Sequence, residues 1–125
     1  MDEDLWTLLT GSSAVAAICG QRVFWDEAPQ GSEIPYVVLH LISRTGHPHQ
    51  QGGGDLVTYR VQIDSYGEDR PSARVLGNAI TSLVNGYRQG GLRLCLLDAE
   101  RVEANEGQLA RVSQDYIINW RAEHG

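Results

Sequence analysis

His47 and His49 flank Pro48, and three consecutive glycines, Gly52 to Gly54, lead into Asp55. A His-X-His pair can hold a metal, and Asp55 would supply the third ligand of a zinc-like set, the arrangement of a metal-dependent hydrolase. Against this, no other His, Cys or carboxylate cluster has a spacing that would supply the outer partners such a site needs. The glycine run lacks the lysine and hydroxyl residue of a phosphate loop, and it leads into a strand pattern rather than a helix N-terminus. The stretch therefore reads as a solvated connection, with the hydrolase kept as a distant alternative.

The remaining reactive residue types do not assemble either. His40 lies in an apolar run, where a histidine with its hydrogen bonds satisfied is commoner than a general base, and His124 sits at the C-terminus. The serines lack a nucleophile-elbow context. Cys19 and Cys95 stand in apolar surroundings without paired spacing, as reduced, buried thiols of a cytosolic protein would. Asp98, Glu100 and Glu103 alternate with apolar positions, the pattern of the wet face of a strand. No catalytic set emerges, and no cofactor is implied.

The elements that must position these residues fit one domain, residues 1–125, with 42% hydrophobic and 21% charged residues, the balance of a folded globular chain. Sixteen acidic against ten basic side chains give a net charge of −6 without a basic stripe, which argues against a groove that grips nucleic acid. The opening residues carry acids where a signal peptide would carry positive charge, and Gly11, Ser12 and Ser13 interrupt the apolar run, so neither export nor a membrane span is expected.

Leu5, Trp6, Leu8 and Leu9, then Val15, Ala16, Ile18 and Cys19, recur at helical spacing; Asp2 or Asp4 is placed to cap the start, Ser12 or Ser13 to restart the helix after Gly11, and Gly20 to end it. A short strand follows, ending near Asp26, then a proline-containing loop. Residues 36–44 are apolar on both alternating sets, which predicts an interior strand covered on both faces. Residues 56–66 alternate, with Val57, Tyr59, Val61 and Ile63 on one side and Thr58, Arg60, Gln62 and Asp64 on the other, which predicts one face toward polar surroundings. The glycine-rich stretch is then a long hairpin connection. An amphipathic helix follows, with Asp69 near its cap, Pro71 in its first turn and Ala73, Leu76, Ile80, Leu83 and Val84 on one face. Two final strands are separated by the turn signal Asn105-Glu106-Gly107. The expected fold is α+β, a mostly antiparallel sheet with helices packed on one face.

The order "SSAVAAICGQRVFWDEAPQGSEIPYVVLHLIS", "YRVQIDSYGEDRPSARVLGNAITSLV" and a closing "DYIINWRA" resembles the tail terminator or tail-completion proteins of long-tailed phages and of gene transfer agents, over nearly the whole chain. The resemblance implies a non-enzymatic virion protein, assembled in the bacterial cytoplasm and placed at the head-proximal end of the tail. It implies a homo-oligomeric ring, commonly of six copies, that docks on the major tail-tube protein, ends tube polymerisation and meets the head–tail connector, while DNA passes through the channel without specific binding. A related head-to-tail adaptor is the alternative. On this reading Gly46, His47, Pro48, His49, Gln50, Gln51 and Asp55 form a docking arm to another chain, and Asp64, Glu68, Asp98, Glu100 and Glu103 are the candidates for acids that face the channel.

Overall fold

The computed structural model describes residues 1–46 and 56–122. Two short helices, α1 (Asp2–Thr10) and α2 (Ser13–Cys19), lead into strand β1 (Val23–Trp25); strands β2 (Tyr36–Gly46) and β3 (Val57–Gly67) follow, then helix α3 (Arg70–Val84) and strands β4 (Leu92–Glu103) and β5 (Ala110–Trp120). The strands form one five-stranded sheet in the order β1-β2-β3-β5-β4. Among the described residues only β1 and β2 pair in parallel; β2–β3, β3–β5 and β5–β4 are antiparallel. The α+β architecture is the one the sequence predicts.

Local sequence explains most of the boundaries. Ser12 caps α2 by accepting from the Val15 amide at 3.3 Å, and Gly20 follows the helix with φ +58°, a conformation that suits glycine. Asp69 caps α3 by accepting from the Ser72 amide at 2.9 Å, and that bond holds its carboxyl below the usual range. For α1 the expected cap is corrected: Met1 occupies that position and makes no side-chain cap bond. Asp2, Glu3 and Asp4 fall inside the first turn instead, where they complement the helix dipole. Asp4 is further engaged, accepting a 2.6 Å bond from the Trp120 indole N–H and so tying the first helix to the last strand.

The core lies between the helices and one face of the sheet. Leu5, Leu9, Val15 and Cys19 from α1 and α2, with Leu76, Ile80 and Val84 from α3, meet Val37, Leu39, Val61, Ile63, Tyr116 and Ile118 from the strands. A buried polar relay runs through it: Gln114 Nε2 donates to the Gly77 carbonyl, Thr81 Oγ1 and Glu100 Oε1, and the Tyr116 hydroxyl donates to Gln114 Oε1. These bonds satisfy the Gln114 amide and the Tyr116 hydroxyl, which the packing takes out of water. Both cysteines are buried and unpaired; burial raises the Cys19 thiol and pushes Cys95 up to about 11.

Two strand-level expectations are corrected. β2 is interior by sheet order, yet only its first half is covered, because β1 spans three residues and pairs with Val37, Val38 and Leu39 alone. Beyond them Leu41 is 45% and Ile42 51% exposed. On β3, Asp64 alternates onto the polar side as expected but is 1% exposed rather than wet.

Candidate interaction surface

The sheet face opposite the helices carries the polar half of β3 and β5. Strand alternation places Thr58, Arg60, Gln62, Asp64 and Tyr66 there, beside Arg111, Ser113, Asp115 and Asn119 of the neighbouring strand. The protein has ten arginines and no lysine, and arginine's planar fork can engage more than one acceptor. Arg60 Nη2 lies 2.6 Å from Asp98 Oδ2 and 3.5 Å from Asp115 Oδ2, and the two carboxylates hold its guanidinium pKa above the usual value. Arg101 reaches Asp115 at 3.1 Å and donates to Gln62 Oε1 at 3.3 Å. Gln62 Nε2 in turn donates to Asp64 Oδ1 at 2.9 Å. Arg111 pairs with Glu103 at 2.6 Å and bonds Tyr66, which stacks on Tyr36 with ring centroids 4.9 Å apart.

This is a surface of fixed, mutually neutralised charges. His40 Nε2 lies 3.1 Å from Asp64, so this ring nitrogen is engaged within the fold. Among the described residues no three His, Cys, Asp or Glu side chains gather as a metal ion would need. A groove of about 600 Å³ runs between α1 and the start of β4 and is lined by Glu3, Asp4, Thr7, Ser12, Tyr87 and Leu92 among others.

Of the residues singled out from sequence, Gly46 is exposed at the end of β2, while His47, Pro48, His49, Gln50, Gln51 and Asp55 lie outside the described residues. Asp64 must be withdrawn from the acids that could face a channel: Gln62 and His40 occupy its oxygens, and the stacked Tyr36 and Tyr66 stand beside it on the same face. Glu68 is exposed between β3 and α3. Asp98, Glu100 and Glu103 do not share a face: Glu100 and Glu103, three residues apart, alternate onto opposite sides, and an irregularity between Leu97 and Ala99 moves Asp98 to the side of Glu103. Asp98 and Glu103 join the open face, whereas Glu100 pairs with Arg74 of α3 at 3.1 Å on the helix side. What the sequence reading missed is the arginine set, Arg60, Arg101 and Arg111; their strand-alternating placement among acids was the available signal.

The described residues contain no helix long and apolar enough to cross a membrane. No curated protein matches the chain. Among solved structures, a chain titled "Virion of native gene transfer agent (GTA) particle" has the same fold, with a TM-score of 0.70 over 94% of this chain and 92% of that one at 16% identity. Residues 3–119 match the family described as tail completion protein gp17, a span that takes in every element from the first helix to the last strand. The chain therefore belongs to the tail completion protein gp17 family, and its role is that of a structural component of a particle's tail.

Proposed function

We propose that this protein forms a closed ring, commonly of six copies in proteins of this kind, at the head-proximal end of the tail tube. There it ends polymerisation of the major tail-tube protein and presents its opposite surface to the head–tail connector. The observation that carries this reading is the pair of unlike edges on one sheet, a β1/β2 side and a β4 side. A head-to-tail ring needs two different patches on each subunit, and unpaired strand edges supply hydrogen-bonding groups ready for a neighbour. The protein then works by shape and transforms no molecule.

The charge pattern supports a passive channel wall. If the open sheet face lines the channel, Arg60, Arg101 and Arg111 are already engaged by the protein's own carboxylates. Arginines held in this way offer little to DNA phosphates, so passing DNA meets no strong grip. Asp98 and Glu103 serve there as partners of arginine rather than as bare repelling acids; Glu68 and Glu100 lie elsewhere on the fold. We place the docking arm at residues 46–55, toward the tube or a neighbouring ring.

Deleting the gene tests the function. A terminator's loss gives overlong tails, whereas a head-to-tail adaptor's loss leaves tubes of normal length that fail to join heads. Tubes of normal length in the deletion strain would move the assignment to the adaptor.

A further inference from the structure

We propose that neighbouring subunits join by strand addition, the outer edge of residues 41–46 in β2 of one copy pairing antiparallel with the outer edge of residues 98–103 in β4 of the next. The inference rests on the ring reading and names the segments that would close it.

Each edge is open over a stretch of similar length, and the structure shows why. On one side, β1 ends at Trp25; Asp26 donates its amide to the Leu39 carbonyl at 2.8 Å and then turns the chain away with φ +72°. From Leu41 onward no described strand lies outside β2. Leu41 and Ile42 are 45% and 51% exposed there and the described segment holds no proline; its strand irregularity between Leu41 and Ser43 and Arg44, which lies over the Tyr59 ring, are the features a neighbour must accommodate. On the other side, the first half of β4 is capped by the segment after α3: Gly86 donates to the Cys95 carbonyl, Cys95 to the Tyr87 carbonyl, and the Leu97 amide to Asn85 Oδ1. That cap ends at Leu97, and 98–103 continue as a strand paired only with β5 among the described residues.

Strand polarity agrees with pairing between copies. β2 runs antiparallel to β3, β3 to β5 and β5 to β4, so β2 and β4 run in opposite directions and would meet antiparallel in a head-to-tail ring. Arg44 lies in the first segment, and Asp98, Glu100 and Glu103 outnumber Arg101 in the second. Those three acids are each held by an arginine of their own subunit, so strand direction rather than charge distinguishes the unlike pair.

Geometry gives a further reason for a closed assembly. The two open segments sit at opposite ends of the sheet, since 41–46 lie level with the capped half of β4 through the β3 and β5 registers. Bringing them side by side needs a stagger of about five residues, or about 16 Å, across a repeat of four strands about 19 Å wide. That slope is about 40°, within the tilt at which sheets close into barrels. In this arrangement β1 stands above the neighbour's β4 as a stop that fixes the stagger.

Amide hydrogen exchange on the purified subunit and on intact particles tests the pairing, with residues 61–65 of β3 as an internal reference protected in both. The expected result is a slowing of about tenfold or more in both 41–46 and 98–103 on assembly. The double variant Leu41→Lys/Ile42→Lys changes exposed side chains, so it should keep the wild-type circular dichroism spectrum yet be missing from particles. Edge pairing is overturned if the protein is present in multiple copies per particle while either segment exchanges as fast as in the free subunit, or if the double variant is incorporated normally. A single copy per particle by quantitative mass spectrometry would sink the ring reading itself, and this inference with it.

Discussion

His40 Nε2 lies 3.1 Å from Asp64 Oδ2, and the carboxylate it meets is 1% exposed on the sheet face that carries no helix. Gln62 donates to the same carboxylate, so both oxygens are engaged. Asp64→Ala would leave two donors without their acceptor, at an expected cost of about 2–3 kcal/mol. Asp98→Ala, which removes a half-exposed partner of Arg60, should cost under about 1 kcal/mol. Urea denaturation of the two variants checks the contrast; equal losses would show that Asp64 is no more embedded than Asp98.

The buried thiol of Cys95 predicts a loss of stability in alkali. Burial pushes its pKa from 9.0 up to about 11, so the folded state holds the proton more tightly than the unfolded chain. Its contribution is full below about pH 9 and disappears as pH rises through about 11, at most about 2–3 kcal/mol in all. Tyr116, raised by burial from 10.0 to about 12, extends the decline by a further window. Cys95→Ala should be less stable at neutral pH yet show a flatter profile between pH 9 and 11. A variant as steep as wild type there would assign the alkaline loss to other groups.

Gly67 ends β3 where α3 begins, and a Cβ at this position would sit 2.5 Å from the Ala73 amide nitrogen and 2.9 Å from the Ser72 carbonyl carbon. Backbone atoms cannot swing aside as a side-chain tip does. Gly67→Ala should therefore destabilise the protein by about 1–3 kcal/mol. Gly86→Ala makes a useful comparison: its φ is +86° but nothing lies within 4 Å, so its cost is conformational alone and about 1 kcal/mol. Thermal melts that rank Gly86→Ala as the more damaging change would contradict the close approach at Gly67.

The fold was legible wherever a strand or helix carries its own evidence. The alternation of Val57, Tyr59, Val61 and Ile63, and the stripe Ala73, Leu76, Ile80, Val84, state directly which side faces the core. The failures share one cause, which is that burial also depends on neighbours absent from the segment. Leu41 and Ile42 look like interior residues, but the length of β1 decides their exposure, and nothing in "LHLIS" encodes that. Asp64 looks wet in its own strand and is covered by groups from β2. Simple alternation puts Glu100 on the side of Asp98, and only pairing with β5 reveals the strand irregularity that separates them.

The connection between β2 and β3 can be separated from the fold, which gives the arm proposal a direct test. Gly46 and Val57 are cross-strand partners, so the two strands already stand at hairpin distance where the described part of β2 ends. Replacing residues 47–56 with Asn-Gly, the two-residue turn that matches strand twist, should preserve the sheet and change stability by under about 1 kcal/mol. If residues 46–55 reach another chain, this shortened protein should fold, remain monodisperse and fail to enter particles, leaving the tail-length defect of the deletion strain uncorrected. Normal incorporation with normal tail lengths would remove the arm from the mechanism while leaving the strand-edge contact to hold the ring.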